Sequence, residues 1–285
     1  MAGPWDRAYR CVKLAGHAGQ RYADRRTNEG PMATVLASAT TSSANRFRFR
    51  ITFNFVMALL MALVVIYGFS HTIGGNLIHP SIPRPRVLYV HAALFSAFMA
   101  IYILQTGLVA SGNVKLHQRL GPIWVVIGVA MPVFGIATGI VMRRFDVIHF
   151  NDYATFIAVI LWDMLAFSTL FLLAVLWRKR PEYHRRFMFL ATCGLMDAGF
   201  SRFPLIGLTS TSGPNFWVDF RGLYVGVIAL TLIAMTRDLI VQRRVHIVYR
   251  VAVPLIVSGQ LLAVALSDVP PAFWTTVSRR LVGVG

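Results

Sequence analysis

Seven stretches beyond Arg50 stay apolar for roughly 20 residues at a time, and that recurrence constrains the fold more than any other feature. Roughly 20 residues is the length an α-helix needs to cross a hydrocarbon core of ~30 Å. Helices also satisfy every backbone group internally, which lipid demands. The runs fall at about 51–70, 87–110, 121–141, 154–177, 187–208, 219–236 and 247–267. The chain therefore reads as an all-α integral membrane helical bundle of about seven transmembrane helices. Its parts are a basic tail over 1–50, expected to be disordered, the bundle over 51–267, and a short amphipathic segment over 268–285. The fifth run contains Asp197, Arg202 and Pro204, and the seventh contains Arg250, Pro254 and Gln260, so both need neighbouring helices to shield them.

Composition excludes the soluble alternatives. Hydrophobic residues make up 56% of the chain and charged residues only 14%, against about a quarter charged in soluble domains. The formal charge of +17 would suggest nucleic-acid binding in a soluble protein. Here the cations sit between apolar runs, which is the signature of membrane topology. The expected partner is the lipid bilayer, with no nucleic acid.

Fourteen Lys and Arg flank one set of helix ends and seven flank the other, counting from Arg46. The positive-inside rule then places the N-terminus inside. The tail carries nine Lys and Arg and no apolar run before a cleavage site, so a signal peptide is not expected. Met32 offers an alternative start. Trp124 and Trp177 are expected to anchor run ends at the interface, whereas Trp162 lies too deep. Cys11 and Cys193 outline no disulfide framework and read as free thiols.

Four ionisable residues interrupt the lipid-facing pattern: His91, Asp163, Asp197 and Arg202. Each costs ~2.5–3.5 kcal/mol on insertion scales when placed centrally. At ~1.5 Å per residue, Asp163 and Asp197 both fall near the midplane, with His91 and Arg202 in the outer half. The four can line one polar cavity opening outward. Asp197 and Arg202 are five positions apart and face different ways on a helix, so Asp163 is the better partner for one of them. The plainer alternative is a buried Asp–Arg pair that locks helix packing.

A second group lies at the inner helix ends. His117, His184 and His246 each stand just before an apolar run, beside arginines. Imidazole is a common axial ligand of haem iron, and arginine pairs with carboxylates such as haem propionates. Two such histidines at one depth can hold one b-type haem, with His117 and His184 as preferred ligands of the iron and His246 as the spare. Alternatively these residues contact lipid phosphates.

At these positions the chain resembles an uncharacterised family of bacterial multi-span membrane proteins. The resemblance rests on Leu116-His117-Gln118-Arg119-Leu120-Gly121, on His184 with Met188 opening a later helix, and on Arg202 near that helix's far end. His91, Gln105 and His246 occupy matching places. The resemblance spans roughly 85–250 and implies a bacterial cytoplasmic membrane. It is reminiscent of haem-binding membrane cytochromes and oxidase assembly proteins, which implies a membrane redox partner. The dihaem arrangement, with two histidines thirteen or fourteen residues apart on one helix, is absent. His79 and His91 come nearest, and Pro80, Pro83 and Pro85 intervene.

Three functional classes follow: a haem-binding redox or assembly protein; a proton-coupled transporter using His91, Asp163, Asp197, Arg202 and the neighbouring Gln105; and a non-catalytic membrane subunit. No nucleotide fingerprint, phosphate loop or nucleophile elbow occurs in the chain.

Overall fold

The computed structural model describes residues 51–204 and 215–284, which lie in one compact unit, Arg48–Gly285. The basic tail over 1–50 lies outside the described residues, as does 205–214. In chain order the helices are α1 Phe53–Ser70, α2 Arg86–Ala110, α3 Val114–Phe150, α4 Ile157–Leu176, α5 Pro181–Gly194, α6 Asp197–Phe200, α7 Phe216–Gln242, α8 Ile247–Asp268 and α9 Ala272–Val282. No strand occurs among the described residues.

Six of these, α1, α2, α3, α4, α7 and α8, are long and apolar enough to cross a membrane, as expected of an integral membrane helical bundle. They match six of the seven apolar runs. The fifth run is instead divided into α5 and α6, of 14 and 4 residues, and its last residues fall outside those described. The cause is local: a turn at Leu195–Met196 interrupts the ladder just before Asp197. Because this segment is too short and too polar to face lipid, it is held inside. Met188, Phe189, Leu190, Ala191, Thr192 and Cys193 are all buried.

Helix starts follow side-chain capping. Thr52 Oγ1 accepts from the Phe55 N–H at 3.3 Å, Asn215 Oδ1 from Val218 at 3.2 Å, and His246 Nδ1 from Val248 at 3.2 Å; each satisfies one orphan donor of its helix. Pro181 opens α5, where its missing N–H costs nothing. At 37 residues, α3 is about 55 Å long and overruns the hydrocarbon core. Its overhang is tied down by Asp146, which meets Arg84 at 3.3 Å and Arg143 at 3.1 Å.

Close helix approaches mark the centre. A side chain at Gly68 of α1 would strike the backbone of Gly199 in α6, and one at Gly259 of α8 would strike the Trp162 ring of α4. The large core joins Phe98 of α2, Trp124 and Met131 of α3, Phe167 and Phe171 of α4, and Phe189 of α5. Trp124 therefore departs from the expected interfacial anchor. Only 4% exposed, it lies among Phe98, Tyr102 and Phe171, with ring centres 5.7–5.9 Å away. Trp177, at the end of α4, stacks on Tyr183 and under Arg180. The C-terminal segment forms α9, whose Trp274 indole donates to the Thr155 carbonyl at 3.5 Å.

Candidate functional site

The end of the bundle that carries the α2–α3, α4–α5 and α7–α8 connections is densely cationic, and is called the basic end below. Two polar centres are built from it inward.

The first joins α3 and α5. His117, one turn into α3, and His184, one turn into α5, bring their imidazoles edge to face with ring centres 6.3 Å apart. The ring of His184 is oriented by its Nδ1, 2.8 Å from the Ala174 carbonyl. A carbonyl can only accept, so Nδ1 carries the proton and Nε2 is the free nitrogen. His117 Nδ1 is buried without a hydrogen-bond partner, and the Gln105 backbone neighbours its ring.

Around this pair the α2–α3 seam buries more polar atoms than it satisfies. Gln105 is 1% exposed, yet neither end of its amide has a partner, and the Trp124 indole N–H is equally orphaned. His117 and Trp124 are seven residues apart, so they share a face of α3. Unpaired buried groups cost ~1–3 kcal/mol each, so their concentration beside two histidines marks this seam as built for more than packing.

His246 lies apart from the pair. Its Nδ1 caps α8 and its ring meets Tyr183 at 4.8 Å. Burial, with Arg186 beside it, lowers its imidazole below the ordinary histidine value.

The second centre lies deeper. Asp163 of α4 and Asp197 at the start of α6 come within hydrogen-bonding reach of each other, and the Tyr224 hydroxyl of α7 donates to Asp163 Oδ1 at 3.1 Å. Arg202 makes no ion pair with Asp197 within 4.0 Å among the described residues. Its guanidinium instead donates to the Ala198 carbonyl and to Ser201 Oγ at 3.3 Å, and lies over the Phe69 ring at 4.3 Å. Asp197 and His91 are its electrostatic neighbours. His91 stacks on Phe95 at 4.0 Å, and its Nδ1 has no partner.

Of the intramembrane residues expected from the sequence, His91, Asp163, Asp197 and Arg202 fall in one neighbourhood, whereas Gln105 lies beside His117 instead; the cavity found beside the four does not run outward. It measures about 20 Å³ and extends from Asp163 toward the basic end, between α4, α5, α7 and α8. Trp162, Thr231 and Gln260 line it.

Three participants escaped the sequence reading: Tyr224, Thr231 and Asp238. They are seven residues apart on α7, a spacing that keeps them on one face, and this was the available signal. Asp238 forms a forked pair with Arg186, accepting from Nε at 2.7 Å and from Nη2 at 2.9 Å. Both side chains are 2% exposed.

Compared with family models, with curated proteins and with solved structures, the chain matches none.

Proposed function

We propose that this integral membrane protein binds one b-type haem between His117 and His184 and serves in one-electron transfer or in the assembly of a membrane redox complex, with its basic end on the cytoplasmic side. The observation that carries this reading is the 6.3 Å pairing of the two imidazoles across α3 and α5. His117 and His184 would be the residues that hold the group, and the redox chemistry would be the haem's own.

Three features support the fit. His184 donates Nδ1–H to a backbone carbonyl, the outer contact that sets the tautomer of metal-bound histidines. His117 and His184 meet across α3 and α5, and a haem would ask the protein for few ligands of its own. An open depression flanking His184 in sequence is lined by Lys179, Arg180 and Arg185 together with Glu182, and its excess of cations would attract propionate carboxylates. When bound, haem supplies the electron acceptor. The chain orients the imidazoles, and Phe98, Phe167 and Phe171 keep water from the adjoining core.

The purified protein, expressed with added haem, is expected to show a Soret band and a reduced α-band that are lost in His117→Ala and His184→Ala and kept in His246→Ala. A wild type without either band, or bands unaffected by both ligand variants, overturns the assignment.

A proton-coupled carrier is the second reading, favoured by the meeting of Asp163 with Asp197. In that case Asp163→Asn abolishes proton flux in liposomes, with no haem present.

A further inference from the structure

Around Asp163 the described residues concentrate groups that a structural ion pair does not need. Asp163 faces Asp197 from α6, Tyr224 from α7 and Gln260 from α8. Arg202, the cation nearest Asp197 among the described residues, points its donors at Ala198 and Ser201 instead. Two carboxyl groups this close repel when both are bare and neither can then donate, and a shared proton relieves both problems.

The adjoining cavity adds an independent observation. Its volume of about 20 Å³ is enough for one water, which needs ~10–15 Å³ and 2–4 polar partners. Those partners are at hand. Gln260 is 2% exposed and its Oε1 has no partner, and the Trp162 indole N–H has none either. Asp163 and Thr231 are the other polar residues of a lining that is otherwise apolar, with Phe167, Leu170, Leu190 and Ile256 among it. An acceptor, a donor, a hydroxyl and a carboxyl around a water-sized space make a hydrated site rather than a packing defect.

Polar groups continue from that cavity toward the basic end. Thr231 Oγ1 lies 3.7 Å from Cys193 Sγ. The buried Tyr249 has Cys193 and Asp238 as electrostatic neighbours, and Asp238 closes the line in its pair with Arg186. On α7 the members Tyr224, Thr231 and Asp238 recur every seven residues, about 10 Å apart along the axis. The rest of α7's described surface is largely apolar, so this single stripe connects the carboxyl pair to one end of the bundle.

We propose that Asp163 and Asp197 hold one proton between them inside the bundle and exchange it with the basic end through a water in the adjoining cavity and along the Thr231 side of α7. The step is a proton transfer alone: a proton leaves water at the basic end, passes through the cavity water to a carboxylate oxygen, and returns by the same route. No electron moves and no cofactor takes part, so the proposal stands or falls separately from haem at His117 and His184.

Infrared spectroscopy of the full-length protein in liposomes tests it. At neutral pH the wild type is expected to show the C=O stretch of a protonated carboxyl, lost in Asp163→Asn and in Asp197→Asn. Tyr224→Phe, which removes one hydrogen bond and little else, should shift that band without abolishing it. On transfer to D2O, the band of a Thr231→Val/Gln260→Leu protein should exchange at least tenfold more slowly than that of the wild type. A wild type lacking the band, or a band that Tyr224→Phe leaves in place, overturns the shared proton. A plugged variant that exchanges as fast as the wild type overturns the route.

Discussion

Removing Asp238 should be among the most damaging single substitutions in the chain. Its carboxylate accepts two bonds from Arg186, at 2.7 Å and 2.9 Å, with both side chains 2% exposed. In Asp238→Ala the guanidinium keeps only the bond from Nη1 to the Glu182 carbonyl at 2.6 Å. It is left among cations, since Arg185 and Arg237 both lie near Asp238. Breaking a buried pair from one side costs about 3–5 kcal/mol, because the surviving charge is stranded. That is a large share of the 5–15 kcal/mol typical of a folded protein. Arg186→Met/Asp238→Leu removes both charges at similar volume and should recover most of the loss, to within about 1 kcal/mol of the wild type. Unfolding in mixed micelles with increasing denaturing detergent, followed by tryptophan fluorescence, gives both values. If the double variant is as unstable as Asp238→Ala, the stranded guanidinium is not the cause. If the single variant loses less than about 1 kcal/mol, the pair is hydrated and the burial argument fails.

Two further outcomes follow from local geometry. His246 can accept from the Val248 N–H only while Nδ1 is unprotonated, and burial with Arg186 nearby lowers its affinity for a proton in the fold. The unfolded chain takes that proton from about pH 6.5 downward and the folded chain only lower. The contribution is therefore level above that pH and lost as pH falls below it. His246→Asn keeps a capping acceptor without titrating, so it should flatten the loss of melting temperature between about pH 7.5 and pH 5.5; an unchanged slope refutes this. Gly68→Ala should cost about 1–3 kcal/mol, because the new methyl meets unyielding backbone at Gly199. Gly121→Ala, which meets nothing within 4 Å, should instead gain up to about 1 kcal/mol of helix propensity. Equal melting temperatures for the two variants would count against the α1–α6 contact.

Period and polarity made the bundle legible in the sequence, because length and apolar content alone decide whether a helix suits lipid. The same rule fails for residues 187–208, where hydropathy suggests a span and the backbone breaks at Leu195–Met196. The break leaves Asp197 within reach of Asp163 on α4, a tertiary contact that no local pattern encodes. His117 and His184 were found together because each opens a helix at the same end. The sequence favoured His117 and His184 over His246; in the fold those two rings meet, whereas His246 spends its Nδ1 on a cap. Trp124 misled because an indole near a run end suits either an interface or a core, and only the facing Phe98 and Tyr102 decide between them. Tyr224, Thr231 and Asp238 carried a readable seven-residue spacing, but two of the three pass as ordinary members of an apolar helix.

The segment least suited to lipid is also the one that joins the two centres. Residues 181–200 carry His184 near one end, Arg186, Thr192 and Cys193 along the middle, and Asp197 at the other. Thirteen residues separate His184 from Asp197, a span on the order of 20 Å by helical rise across α5 and the turn at Leu195–Met196. Unit charges at that distance interact by about 0.8 kcal/mol at an effective dielectric constant of about 20. An electron held near His184 would therefore favour a proton held at Asp197 by a few-fold, and the reverse follows by reciprocity. Such a coupling is too weak to drive transport unaided, but it is large enough to bias when a proton is taken up. Burial of Phe189, Leu190 and Ala191 fixes α5 against its neighbours, which holds His184 and Asp197 at a set separation. The close backbone contact of Gly68 with Gly199 then holds α6 from the opposite side. A segment that had only to fill space would not need polar residues at both ends and tight packing between them.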